Sequence, residues 1–261
     1  MITLYDHPLS PYAQKVRIAL REKGLEFRVA LPGGLGAGGA AGEFVEASPR
    51  AEVPALIDGD VRVFDSTIIL EYLEDQYPSP ALLPVGATER ARVRMIEEVM
   101  DTHYEAINWA MGEINWFRRA EGDVAQALKA KAAEQTAGFL SWLGKQLGSR
   151  TWFNGETFGW GDLSVAPFVA ASAGMGMAPA RGGAVSAWLD RVLARPSVAE
   201  TVNEARSFNT AGSGVAEAVA SGLFKREYRD HRLEWMMKSG GVEIVLKGLE
   251  AGNIRFSPDF Q

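Results

Sequence analysis

The sequence predicts a two-domain α+β protein, a small mixed sheet carrying helices followed by an all-helical domain. Three observations carry this. The first 77 residues alternate short apolar strands with stretches of helical spacing. A linker rich in proline, PSPALLPVGA, follows. From Thr88 onward nearly every stretch has the helical period. The boundaries predicted are 1–78 for the mixed domain, 79–87 for the linker and 88–261 for the helical domain. The last of these carries a C-terminal extension from about 207.

The elements follow in order. Residues 2–5 (ITLY) read as a strand. Ser10-Pro11 then places an N-cap hydroxyl before a proline at the first helical position. Val16, Ala19 and Leu20 form the apolar stripe of that helix, with Lys15, Arg17, Arg21, Glu22 and Lys23 outside it and Gly24 as its C-cap. LEFRVAL, from Leu25 to Leu31, is a second strand. Val53 to Ile57 and Val61 to Phe64 make a hairpin around Asp58-Gly59, with Pro54 at the first residue of its strand. Asp65-Ser66-Thr67 caps a further helix, IILEYLEDQY, whose inward face is Ile68, Ile69, Tyr72 and Leu73. Helices are then expected over about 88–119, 124–147, 160–172, 184–194, 198–206, 215–239 and 242–251.

Composition narrows the function. A net charge of −6 and no clustered basic stretch argue against a nucleic-acid partner. There is no cysteine, so disulfides, thiolate–zinc sites and protein thiol nucleophiles are excluded. No apolar run reaches about 18 residues and the start lacks a signal-peptide pattern, so a cytoplasmic protein with no membrane span is expected. The three histidines, His7, His103 and His231, lie far apart without metal-ligand spacing, and no metal is expected. Gly34 to Gly39 satisfies G-x-G-x-x-G, but only EFVEA follows it, barely one helical turn, and Asp58 falls in a hairpin turn. A mobile glycine loop is the expectation there, not a dinucleotide site.

The order of these parts resembles the cytosolic glutathione S-transferase superfamily. Five landmarks carry the resemblance: Ser10-Pro11, Val53-Pro54, Asp65-Ser66, Gly159-Trp160-Gly161-Asp162 before LSVAP, and AWLDRVLARPSV from Ala187 to Val198. They span about residues 1–206. Three positions depart from the family pattern. Asp65 stands where the family has glutamate, Gly159 where its helix cap is serine or threonine, and Glu52 where lysine or glutamine often precedes Val-Pro. The last of these would repel an anionic ligand group.

The resemblance implies a thioredoxin-like first domain, a homodimer, and glutathione as co-substrate with no metal. The second substrate would be an apolar electrophilic small molecule. It implies that Val53, ahead of a cis Pro54, offers main-chain N–H and C=O groups to the ligand's cysteinyl unit. Ser66 and the helix N-terminus would hold the γ-glutamyl carboxylate, and Asp65 its ammonium, although both residues equally suit plain capping. A free thiol has a pKa of about 8.5, so the protein must favour the thiolate. Ser10, where a hydroxyl meets the positive end of a helix, is the first candidate donor; as the alternative it only caps its own helix. Tyr5 is the second candidate and Tyr12 the third. Tyr12, His103, Tyr104, Met111 and Trp116 are candidates for an apolar pocket beside the sulfur, or for ordinary core. Asp162 is read as a folding residue. The extension, with KREYRDHRLE, reads as a cover for the substrate cleft or a brace for the helical domain. A non-catalytic, transferase-like interaction or ligand-binding protein is the alternative function.

Overall fold

The computed structural model describes residues 1–34, 41–211, 214–224 and 231–253. The loop holding most of the glycine motif (35–40) and part of the charged tail (225–230) lie outside the described residues.

Four strands form one mixed sheet: β1 (Ile2–Tyr5), β2 (Phe27–Ala30), β3 (Ala55–Asp58) and β4 (Val61–Phe64), in the order β2-β1-β3-β4. β1 runs parallel to β2 and antiparallel to β3, and β3–β4 is the predicted hairpin. Side chains alternate across the sheet. Ile2, Leu4 and Leu56 face the core shared with α1 (Pro11–Glu22) and α3 (Ser66–Gln76). Tyr5, Ala55 and Ile57 face the short α2 (Glu43–Ala47) on the other side. The predicted second strand is shorter than expected, and β3 starts at Ala55, so Val53 and Pro54 lie just before it.

The helical domain holds α4 (Ala87–Val99), α5 (Glu105–Asn115), α6 (Gly122–Leu147), α7 (Trp160–Gly174), α8 (Ala184–Leu193), α9 (Pro196–Ala211), α10 (Val215–Ala220), α11 (His231–Lys238) and α12 (Val242–Glu250). One apolar core runs through both domains, from Ile2 to Val202. Among the described residues, no helix is long and apolar enough to cross a membrane.

Four expectations are corrected. The single helix over 88–119 is interrupted by a π-helical segment, Met100–Tyr104, where the Asp101 carbonyl accepts from Tyr12 Oη at 2.7 Å. The helix over 215–239 is two, α10 and α11. On α3, Ile69 and Leu73 are buried as expected, but Ile68 is exposed and Leu70 takes its place in the core.

The largest correction concerns α1. Lys15, Arg17 and Lys23, expected in solvent, are buried, because the helical domain docks on that side and carboxylates from both domains meet them there. Lys15 pairs with Glu97 and Asp101, Arg17 with Asp6 and Glu204, and Lys23 with Glu74. Pairing is the condition under which cations enter an interior. On the same side Arg21 meets Glu200 and Glu204, and Glu22 meets Arg195.

Candidate functional site

Three segments of the small domain carry the candidate groups: the start of α1, the residues just before β3 and the start of α3. At the first, the turn after β1 is held by Ser10 N–H on the His7 carbonyl (2.8 Å) and by Gln14 Nε2 on the Pro8 carbonyl (2.8 Å). Ser10 is the N-cap of α1, and its Oγ accepts from Ala13 N–H at 3.3 Å. An accepting hydroxyl keeps its own proton available for donation. No acidic side chain occupies the first turn of α1, so its positive end is not neutralised there.

The two other candidate donors have spent their protons. Tyr5 Oη donates to Glu43 Oε2 at 2.9 Å on the α2 face, and burial and that carboxylate push its pKa up. Tyr12 Oη is the donor to the Asp101 carbonyl, and its ring packs edge-on to Phe168.

The second segment is Val53. The Val53–Pro54 bond is cis. Among the described residues, no main-chain group pairs with the Val53 N–H or C=O, because β3 begins two residues later.

The third is the start of α3. Asp65 caps it from φ +74°, a backbone region sparse for non-glycine residues and typical of sites where the surroundings hold strain. Its Oδ1 takes the N–H groups of Thr67 (3.0 Å) and Ile68 (3.4 Å). The Ser66 N–H and hydroxyl have no partner among the described residues. Capping thus falls to Asp65 and not to Ser66. An open cavity of about 420 Å³ adjoins, lined by Arg50, Arg62, Val63, Phe64, Asp65 and Ile68.

Arg50 is a residue the sequence reading missed. Its guanidinium lies 3.0 Å from Glu52 and 3.4 Å from Asp65, and stacks over Phe64. It offsets the negative charge of Glu52 that was expected to repel a ligand. The only signal in sequence was its place two residues before Glu52. Lys15, Glu97 and Thr67 were missed as well. Glu97 Oε1 accepts from Lys15 Nζ (2.7 Å) and Thr67 Oγ1 (3.0 Å), and Oε2 accepts from Trp160 Nε1 (2.6 Å). Beside it, burial pushes the Asp101 carboxyl up to about 6, with Lys15 opposing and Glu97 and Asp65 adding.

The five candidates for the apolar pocket separate. Tyr104 and Met111 belong to the core: Tyr104 is fully buried with its hydroxyl on Ser172, and Met111 packs in the same cluster. That corrects their place as pocket walls. Tyr12, His103 and Trp116 are half-buried. His103 Nδ1 lies 2.7 Å from Thr102 Oγ1, and no His, Asp or Glu cluster among the described residues has the form of a metal site. The extension touches both sides of this region. Phe208 packs edge-on to His7 near Ser10, and Phe224 stacks on Phe117 at the end of α5.

Comparison with known proteins agrees with this layout. The family profile described as "Glutathione S-transferase, N-terminal domain" matches residues 4–81, and "Glutathione S-transferase, C-terminal domain" matches 115–191. Glutathione S-transferase 3 of Zea mays is 30% identical over 211 residues, covering 77% of this chain and 93% of that protein. Two similar proteins are described as stringent starvation protein A homologs. That of Coxiella burnetii is 38% identical over 96 residues, 37% of this chain and 44% of its own length. That of Haemophilus influenzae is 28% identical over 220 residues, 80% and 93% respectively. Rice GST1, solved in complex with glutathione, superposes with a TM-score of 0.65 at 26% identity, covering 80% of this chain and 95% of that one. The chain belongs to the cytosolic glutathione S-transferase superfamily, with its thioredoxin-like first domain and helical second domain. Glutathione is the co-substrate that this family uses.

Proposed function

We propose that the protein is a glutathione transferase in which the Ser10 hydroxyl and the positive end of α1 hold the glutathione sulfur as thiolate. One observation carries the assignment: of the three candidate hydroxyls, only Ser10 accepts rather than donates within the protein. A hydroxyl donor and a helix end together match the roughly 2.7 kcal/mol needed to lower a thiol pKa from about 8.5 to about 6.5.

The rest of the ligand follows the open groups. Val53 exchanges main-chain hydrogen bonds with the cysteinyl unit, as an added strand would. The Ser66 hydroxyl and N–H bind the γ-glutamyl carboxylate, and Asp65 faces its ammonium. The thiolate attacks an electrophilic carbon of an apolar substrate; a C–S bond forms and the leaving group departs with its electron pair. Conjugation, ether cleavage, dehalogenation and isomerisation all draw on the same activated sulfur. We assign the half-buried Tyr12, His103 and Trp116 to the region of the second substrate. Exposed Phe64, Ile68 and Met95, on β4, α3 and α4, support a homodimer.

A second reading, a transferase-like interaction protein without turnover, is favoured by the likeness to the stringent starvation protein A homologs. Calorimetric titration with glutathione followed by assay with a chloro-nitrobenzene electrophile separates the two. Binding with turnover is the expected result; no binding at millimolar glutathione selects the second reading.

A further inference from the structure

We infer that Glu97 is a positioning residue for glutathione: it fixes the separation between the two ligand-facing helix starts, Ser10 on α1 and Asp65-Ser66 on α3. The inference rests on the assignment of the glutathione site above.

α1 leaves β1 and α3 leaves β4, and β3 lies between those strands. The sheet therefore links the two helix starts only through an intervening strand and two turns. Glutathione must reach both at once, with its sulfur at Ser10 and its glutamyl end at Ser66. A ligand of fixed length reads the distance between them, and a misplacement of about 1 Å in such an arrangement is costly.

Glu97 supplies a direct tie. Its side chain is 2% exposed. Lys15 lies five residues after Ser10 on α1, and Thr67 follows Ser66 on α3. Both bond to the same carboxylate oxygen, at 2.7 and 3.0 Å. The other oxygen is bonded to Trp160 at the start of α7. One carboxylate on α4 thus joins α1, α3 and α7. A buried carboxylate with a lysine, a hydroxyl and an indole N–H on it has little freedom to shift. Lys15 is also bonded to Asp101 at 2.6 Å, so it remains neutralised if its bond to Glu97 is lost. The Thr67–Glu97 bond is the separable part of the tie, because Thr67 makes no ion pair.

The experiment uses Thr67→Val, which keeps the shape and removes that one bond, with Thr67→Ser as the rescue and Glu97→Gln as the stronger perturbation. Glutathione binding is measured by calorimetry, and turnover with a chloro-nitrobenzene electrophile. Thr67→Val is expected to weaken glutathione binding about tenfold, the size of one hydrogen bond to a charged group. The loss should fall on KM for glutathione and not on kcat or KM for the electrophile, and Thr67→Ser should recover it. If Glu97→Gln does not fold, Thr67→Val decides alone. Thr67→Val binding glutathione as the wild type does, with only its melting temperature lowered, overturns the inference and leaves Glu97 a purely structural residue. Failure of the wild type itself to bind glutathione overturns the site assignment first, and is told apart by that.

Discussion

Tyr5 donates its hydroxyl proton to Glu43 across 2.9 Å, on the face of the sheet that α1 does not cover. Five residues later Ser10 sits at the tip of α1, accepting from Ala13 N–H and with no acceptor for its own proton among the described residues. Strand alternation separates the two hydroxyls: Leu4 points to the α1 side and Tyr5 to the α2 side. Tyr5→Phe should therefore leave the pH–rate profile with glutathione in place. The exposed Tyr5–Glu43 bond is worth no more than about 1 kcal/mol, so a denaturant melt should move little.

Gly159 is where the family's usual hydroxyl cap is missing, and the structure gives the reason. A Cβ there would overlap the Leu82 carbonyl oxygen and the Asn154 amide. The linker packs that close because Trp160 N–H donates to the Leu82 carbonyl at 2.8 Å. Gly159→Ser should thus destabilise the protein by about 1–3 kcal/mol instead of restoring a cap. A urea melt checks this, and a gain in stability would contradict it.

Asp162 does the capping that Gly159 cannot. Its carboxylate accepts from the N–H groups of Phe153, Asn154 and Gly159 and from Trp188 Nε1. Asp162→Ala strands four donors, three of them buried, and a loss of at least about 3 kcal/mol is expected. The thiol pKa of bound glutathione should not change, because no group of that cap reaches Ser10. An unchanged melting temperature would refute the role.

His7 gives a pH dependence. It is held under Phe208, accepts from Leu9 N–H through Nδ1, and burial lowers its pKa below the ordinary 6.5. The unfolded chain then takes up the proton first, so stability is present above 6.5 and is lost as pH falls through the folded-state value. Unfolding at about pH 7.5 and about pH 5.5 should show the wild type losing more stability than His7→Gln on acidification. Equal losses would exclude His7 as the source.

Much of the fold was legible because it is local. Ser10-Pro11, Asp58-Gly59 and Asp65-Ser66 announce a cap, a hairpin turn and a second cap without reference to the rest of the chain. What was illegible depends on the docking of the second domain. Lys15 and Arg17 have the pattern of a solvated face, and carboxylates some 80 and 190 residues away, together with the nearby Asp6 for Arg17, bring them inside. The π-helical segment has no pattern in MDTHY; it coincides with Tyr12 reaching the Asp101 carbonyl. Tyr104 and Met111 looked like pocket walls because aromatic and apolar spacing is the same for a wall as for a core.

The central claim is that the Ser10 hydroxyl keeps the glutathione sulfur ionised. It is tested most directly by titrating the thiolate absorbance of bound glutathione in the wild type, Ser10→Ala and Tyr5→Phe. The account predicts that wild type and Tyr5→Phe titrate well below the free thiol's value of about 8.5. Ser10→Ala should return toward that value and lose tenfold or more in turnover, about one charge-assisted hydrogen bond. A Ser10→Ala titration matching the wild type, with Tyr5→Phe displaced instead, would contradict it.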